Sequence, residues 1–427
     1  MKIAVISDDL TGANDCGGQL IDYGLDVSVI LKWDRCSLDK KDVVIYNTNS
    51  RDLASNEAYD RVRDVSKHLK EKSFDLVYKK IDSTMRGNIG DEINAMYDVF
   101  QTDFVIIAPA YPQNGRQVID GTYYLNNKKL SETEVAKDPK TPVKTSFIKN
   151  IIEDQSHKKV GHILYSDLGR GYEYILKCLK SFKKQGIYYI TVDTVCESDF
   201  TKLVNFIKKT EFSVIWCGSA GLMEYLPQAY EIKKIKENVR LSQNKDTVLL
   251  VVGSVSKSSR KQLDKLLSDT NTVGIEMKST KVILDGDERK KELNHIFLEA
   301  QNAIKCNKNL ALFSSSEVEK TQDIGMKHGY TAIEISNTIS RLLGEVSVNI
   351  INNFKVKNLF LTGGDIAYQV FNKLDANEFH LLSKIEPGIP LGELNDGRKI
   401  LAVTKAGSFG SELIMSKAIS ALQGGNE

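Results

Sequence analysis

Charge of one sign is what this sequence most plainly lacks. Lys and Arg number 58, Asp and Glu 56, and the formal net charge is +2 over 427 residues. Without a basic excess there is no electrostatic footprint for nucleic acid, and that partner class is excluded. No apolar run approaches the ~20 residues of a membrane helix, so no membrane partner is expected. The first apolar run is short and lacks the charged lead of a signal peptide. The six cysteines, at 16, 36, 178, 196, 217 and 306, show no CxxC or other metal-ligand spacing. The six histidines are equally dispersed, so neither a zinc site nor a Cys–His nucleophile pair is indicated. A reduced, cytoplasmic protein is expected. The chain also has no GxxxxGK[ST] and no GxGxxG, which removes a Walker A loop and counts against a dinucleotide oxidoreductase.

What is present is α/β patterning. The length predicts two domains. Residues 1–230 and 247–427 each alternate apolar strands with helices, which predicts two mostly parallel sheets flanked by helices, with a ligand cleft between the domains. The charged stretch 231–246, with Lys233, Lys234, Lys236 and Arg240, reads as a connector. The chain opens with Ile3-Ala4-Val5-Ile6, then Ser7-Asp8-Asp9-Leu10-Thr11-Gly12, then a small-residue helix pattern from Ala13 to Leu20. In an open α/β sheet, ligands bind outside the carboxyl ends of the strands, where Asp8 and Asp9 would stand. Taken alone, the pair reads equally as a helix cap.

Further loops of the first half tip the balance toward a ligand. The strand Leu76–Lys80 runs into Ile81-Asp82-Ser83-Thr84-Met85-Arg86-Gly87-Asn88, and Lys79, Lys80 and Arg86 stand with Asp82 and two hydroxyls. Cations can hold a carboxylate, and Ser, Thr and Asp can hold hydroxyls, a mixture that suits a polyhydroxy acid. Arg51, leaving the preceding strand, is a candidate second carboxylate clamp. The strand Phe104–Ala108 exits into Pro109-Ala110-Tyr111-Pro112-Gln113-Asn114-Gly115-Arg116, a rigid loop that offers Arg116. Asp120–Leu125 resembles a hairpin arm, and 126–148 reads as an irregular excursion of the kind that forms lids or walls. Gly218-Ser219-Ala220-Gly221 closes the half and is read as close helix–strand packing.

The second half repeats one unit three times. Thr247–Val252 exits into Gly253-Ser254-Val255-Ser256, Asn358–Leu361 into Thr362-Gly363-Gly364-Asp365-Ile366-Ala367, and Lys399–Val403 into Thr404-Lys405-Ala406-Gly407-Ser408-Phe409-Gly410, each followed by a helix. Glycine and serine at helix N-termini present backbone N–H groups, which suits phosphate. Lys405 is expected to neutralise phosphate charge and Asp365 to help hold Mg²⁺. Glu386-Pro387-Gly388-Ile389-Pro390-Leu391-Gly392 reads as a stiff loop walling the site. A polar acid in one half and a polyphosphate in the other is the layout of a small-molecule kinase, whose reaction needs positioning and charge neutralisation.

DDLTGA at 8–13, KIDSTMRGN at 80–88, APAYPQNGR at 108–116, GSVS at 253–256, TGGDIA at 362–367, PGIPLG at 387–392 and KAGSFG at 405–410 together resemble the four-carbon acid sugar kinase family, in family order and over nearly the whole chain. The resemblance implies a sugar-acid-binding first domain and an ATP-binding second domain. It also implies phosphorylation of the 4-hydroxyl of D-threonate, D-erythronate or a 3-oxo-tetronate. Carried over by motif, Asp9, Arg51, Lys80, Ile81, Asp82 and Ser83 contact substrate; Ser254, Gly363, Gly364, Asp365, Ile366 and Gly407 contact ATP. The residues themselves add Arg86 and Arg116 on the acid side, and Ser256, Lys405 and Gly410 on the nucleotide side. The segment 132–143 resembles the threonate/erythronate branch, since no histidine stands between 69 and 156. The general base is Asp9 or Asp8, with Asp82 behind. The other readings are a 3-oxo-tetronate kinase and a non-catalytic sugar-acid sensor, and a homo-oligomer is compatible with either.

Overall fold

The computed structural model describes residues 1–33, 41–138, 140–235, 241–268 and 271–425. Cys36, Pro139 and residues 236–240 of the expected connector lie outside the described residues. The chain divides into two compact units. One comprises Met1–Ser28 and Ser37–Lys236; the other comprises Val29–Cys36 and Glu237–Glu427. That Val29–Cys36 groups with the second unit has no sequence signal.

Among the described residues, eleven strands lie in the first part of the chain: β1 (Ile3–Ser7), β2 (Val27–Ile30), β3 (Val43–Asn47), β4 (Leu76–Lys80), β5 (Phe104–Ala108), β6 (Arg116–Ile119), β7 (Thr122–Leu125), β8 (Lys128–Lys129), β9 (Val160–Ile163), β10 (Tyr189–Val192) and β11 (Val214–Gly218). In the first unit β3, β1, β4, β11, β5, β10 and β9 lie side by side in that order, all parallel. Helices cover both faces, so strands such as β1 and β5 are buried at every residue and read as unbroken apolar runs. Parallel strands put their exits at one end, which brings the loops after β1, β3, β4, β5 and β11 together.

The expected hairpin is present. β6 and β7 pair antiparallel through Asp120 (φ 48°) and Gly121 (φ 74°), the two left-handed residues that a tight Asp-Gly hairpin turn requires. The buried Asp193 carboxylate accepts the N–H groups of Asp120 and Gly121, both at 2.9 Å, and holds the hairpin. The excursion contains the two-residue β8 and two short 3-10 turns, Leu130–Glu132 and Glu134–Lys137.

In the second unit β12 (Val248–Val252), β13 (Thr272–Met277), β14 (Asn309–Ser314), β15 (Asn358–Thr362), β16 (Glu378–Glu386), β17 (Ile389–Leu394) and β18 (Ile400–Lys405) follow one another along the chain. β13, β14, β12, β15 and β18 are parallel neighbours in that order, and β17 and β16 extend the sheet antiparallel. The core packs the apolar side chains of β12, β14, β15 and β18 against the helices Lys257–Leu267 and Ile414–Leu422. One expectation is corrected here. Glu386–Gly392 is not a stiff loop but the Pro387-Gly388 turn of a hairpin between β16 and β17. Pro390, which has no N–H to give, falls beside a register irregularity of that pair.

Candidate active site

In the first unit the β1 exit carries Asp8 and Asp9. The helix starts at Leu10, earlier than the small-residue pattern indicates, and Asp9 is its N-cap: Oδ1 accepts the Gly12 N–H at 2.8 Å. The expected helix cap is therefore present in Asp9 itself. The Asp9 side chain keeps 21% exposure, whereas Asp8 keeps 3%. Gly12 leaves room for the Asp9 and Lys80 side chains, since a Cβ there would stand 2.6 Å from Asp9 Oδ1 and 2.7 Å from Lys80 Nζ and displace them.

Arg51 gathers the aspartates. Its Nε and Nη2 grip the two oxygens of Asp8 at 2.7 and 3.0 Å. Nη1 reaches Asp9 Oδ2 at 2.9 Å and Nη2 reaches Asp9 Oδ1 at 2.7 Å; Asp82 Oδ1 stands 3.9 Å from Nη1. The loop carrying Arg51 is held by Asn88, whose amide donates to the carbonyls of Ser50, Arg51 and Leu53 at 3.1, 3.4 and 2.9 Å. Gly87 (φ 93°) admits the Arg51 side chain, since a Cβ there would lie 3.0 Å from Arg51 Cγ.

Arg86 makes a second cluster. Its Nε and Nη2 bind Asp82 at 2.7 and 3.2 Å and its Nη1 binds Asp138 at 3.0 Å, while Thr84 Oγ1 donates to Asp82 at 2.5 Å. Ser83 is half-buried, and its carbonyl accepts the Tyr123 hydroxyl. Ile81 is fully buried, so only its backbone is available: its carbonyl accepts from Lys80 Nζ at 2.8 Å. Arg116 opens β6; its Nη1 donates to the Asn114 carbonyl at 3.0 Å, and its Nε is buried without a partner.

The electrostatics separate the carboxylates. Burial alone would raise Asp8, but Arg51 and Lys79 outweigh it and hold its pKa below the ordinary value. For Asp9, burial prevails over Arg51, and the charge of Asp8 adds to it, so its pKa is raised. Asp82 is held well below the carboxylate range because Arg51 and Arg86 overcome its burial. The adjacent carboxylates thus diverge, Asp9 raised and Asp8 and Asp82 lowered.

Lys79, grouped by sequence with the loop cations, faces the other way. It is fully buried and pairs with Glu92 at 2.6 Å. Glu92 Oε1 accepts from Ser50 Oγ at 2.6 Å, and Ser50 Oγ lies 2.7 Å from Thr48 Oγ1. The Ser50 N–H donates to the Asp8 carbonyl at 2.9 Å, so this network underlies the aspartate loop. Gly218 and Gly221 serve packing, as expected: Cβ atoms there would stand 2.6 and 2.8 Å from the carbonyls of Ala108 and Ala110.

In the second unit the three Gly/Ser loops leave β12, β15 and β18 at one end of the sheet. Ser256 caps the helix Lys257–Leu267 by accepting the Ser259 N–H at 3.2 Å, and Ser254 Oγ lies 3.1 Å from Ser256 Oγ. Three donors converge on the Gly407 carbonyl: Ser259 Oγ at 2.6 Å, Lys405 Nζ at 2.9 Å and Ser256 Oγ at 3.0 Å. A Cβ at Gly407 would stand 2.4 Å from Ser254 Oγ and push that hydroxyl aside. Gln262, which sequence reasoning missed, donates to the carbonyls of Phe409, Gly410 and Ser411 at 3.1, 3.0 and 3.1 Å. Gly363 (φ 104°) precedes the helix Gly364–Lys373, Gly410 has φ 88°, and Asp365 is exposed in the helix's first turn. Ile366 is buried and packs into the space a side chain at Gly253 would take, so its role toward a ligand is confined to its backbone.

Lys405 departs from its expected role. It is 2% exposed and spends its ammonium on the carbonyls of Ala406 and Gly407, so it braces the loop from beneath. Burial pushes its pKa down to about 8 from 10.5. Between about 8 and 10.5 the unfolded chain binds the extra proton, so stability is expected to rise as pH climbs through that window. Lys405→Met is expected to flatten this rise, read as Tm against pH. An unchanged slope in the variant would assign the proton uptake to another group.

Among the described residues no three His, Cys, Asp or Glu side chains cluster as a protein-only metal cage, and no helix is long and apolar enough to cross a membrane.

Comparison with known proteins adds to this geometry. A family model described as a sugar-binding N-terminal domain matches residues 3–226, and one described as a nucleotide-binding C-terminal domain matches residues 249–415. The chain is 33% identical to a D-threonate kinase of Salmonella typhimurium, covering 98% of each. It is 27% identical to a D-erythronate kinase of Heliobacterium modesticaldum, covering 96% of this chain and 94% of that one. It is also 27% identical to a 3-oxo-tetronate kinase of Haemophilus influenzae, covering 96% and 97%. A crystal structure of a Haemophilus influenzae protein has the same fold, with TM-score 0.76 at 24% identity, over 98% of this chain and all of that one.

Proposed function

The chain belongs to the four-carbon acid sugar kinase family, and we propose from that membership that it transfers the γ-phosphoryl group of ATP to the 4-hydroxyl of D-threonate. The observation that carries the choice of acid is the 33% identity to a D-threonate kinase over 98% of both chains. D-erythronate is the next substrate in line, and a 3-oxo-tetronate follows.

The residues support this reading as follows. Arg51 and Arg86 are spent on the chain's own aspartates. Among the described cations of these loops, Lys80, whose Nζ donates to the Ile81 carbonyl, and Arg116, whose Nη1 donates to the Asn114 carbonyl, retain further N–H donors. These two suit the carboxylate of the acid, and the aspartates and Ser83 suit its hydroxyls. Asp9, raised in pKa and partly exposed, accepts the 4-hydroxyl proton as the new P–O bond forms and the bond to ADP breaks. Asp8 keeps Arg51 in place, and Asp82 keeps Arg86.

On the nucleotide side, Ser254, Ser256, Gly363, Gly364, Gly407 and Gly410 offer backbone N–H groups and hydroxyls to phosphate oxygens. Mg²⁺ commonly binds through one or two carboxylates plus substrate phosphates. The exposed Asp365, in the first turn of its helix, fits that pattern and would hold the ion. When bound, the metal neutralises phosphate charge.

The test is ADP release with D-threonate, D-erythronate, the L-isomers and 3-oxo-tetronates, in the presence of ATP and Mg²⁺. D-threonate is expected to give the highest kcat/KM. Nucleotide and acid binding without ADP release from any of them would favour the sensor reading.

A further inference from the structure

Among the described residues of the second unit, one cation stands apart. Arg260 lies in the second turn of the helix Lys257–Leu267 and is partly buried. Helical side chains lean toward the N-terminus, and this one reaches back to the exit of β14. There Nη2 donates to Ser314 Oγ at 3.3 Å and to the Ser315 carbonyl at 3.5 Å, both long contacts. Its Nε is buried with no hydrogen-bond partner. Glu276 and Asp264 are the carboxylates whose fields reach it; neither forms an ion pair with it, and burial outweighs both. Arg51 and Arg86, by contrast, each sit between carboxylates.

A partly buried guanidinium with an unmet N–H is an incomplete arrangement, and buried donors in folded proteins nearly always have an acceptor. What completes it is an anion, and a guanidinium's planar fork matches phosphate oxygens. The location agrees. β14 and β12 are parallel neighbours, with Leu249 to Val252 in register with Leu310 to Phe313, so Ser314-Ser315 and Gly253-Ser254 leave the sheet at the same end. Thr362, at the corresponding end of β15, has a fully buried hydroxyl that also lacks a partner.

We propose that Arg260 is a nucleotide-binding residue, engaging the phosphate chain of ATP beside the serines that end β14. The assignment rests on the kinase reading given above. It adds a cation to a cradle whose glycine loops supply only neutral donors and whose Lys405 is turned inward.

The test is the affinity of the full-length protein, Arg260→Gln and Arg260→Lys for adenosine, AMP, ADP and ATP, with Mg²⁺ present and Tm recorded for each. Removing a charge-assisted hydrogen bond is expected to weaken ATP binding roughly 10- to 100-fold. Adenosine affinity and the KM of the sugar acid should not move, and Arg260→Lys should recover part of the loss. A uniform loss over all four ligands, or ATP affinity equal to that of the parent protein, would overturn the assignment and leave the kinase reading standing. A parent protein that binds none of the four overturns both.

Discussion

Asp9→Asn is expected to lower kcat by roughly 10²- to 10⁴-fold, the usual contribution of a general base, with ATP affinity unchanged. The substitution keeps the cap, because the amide oxygen can still accept from Gly12 N–H, as Oδ1 does at 2.8 Å. It removes the carboxylate that burial and Asp8 hold above its ordinary pKa. Activity in the parent protein should fall as pH drops through that raised value, above 3.8, because protonated Asp9 cannot take the hydroxyl proton. Asp8→Asn should behave differently. Asp8 is held below 3.8 and meets Arg51 at two points, so its loss unseats Arg51 and lowers kcat/KM, and the acidic limb should persist but shift to lower pH, because the Asp8 charge that helps raise Asp9 is gone. Initial rates against pH, with nucleotide binding measured separately, distinguish the two. Full turnover in Asp9→Asn would take Asp9 out of the chemistry.

The fold was legible because a parallel sheet covered on both faces writes its strands as apolar runs, and β1, β5, β12 and β15 are buried at every position. β13 escaped, since Gly274 and Glu276 interrupt a strand that lies at the edge of its sheet. The β16–β17 hairpin escaped because two prolines in seven residues imitate a loop. The ligand-like loops were found by composition, but composition could not say which side chains point into them. Lys79 and Lys80 are neighbours in sequence, and β4 runs through both. A strand sends successive side chains to opposite faces. Lys80 therefore approaches Asp9, and Lys79 enters the core against Glu92. The bracing roles of Asn88 and Gln262 left no local signal. Their partners lie 35 to 38 and 147 to 149 residues away, and only the tertiary fold brings them together.

Lys79→Met and Glu92→Met, made singly, are each expected to destabilise the first unit by about 3–5 kcal/mol, because each leaves a buried charge without its partner. For a unit of this size that corresponds to a fall in Tm of about 6–20 °C. The pair is 0% and 1% exposed at 2.6 Å, so solvent gives neither ion relief. Burial already raises the pKa of Glu92 against the pull of Lys79, and with Lys79 gone that pull is lost. The double variant, which buries two apolar chains of similar length, should recover most of the stability, since an apolar pair often equals or exceeds a buried ion pair. Activity is the more telling measurement. Glu92 also accepts from Ser50 Oγ, and the Ser50 N–H donates to the Asp8 carbonyl. If the pair serves only stability, the double variant regains both Tm and kcat. If it sets the position of the aspartate loop, the double variant regains Tm but stays slow, with Ser50 lacking the acceptor that fixes it. We expect the second outcome, because this network joins the core to the loop that carries Asp8, Asp9 and their shared arginine.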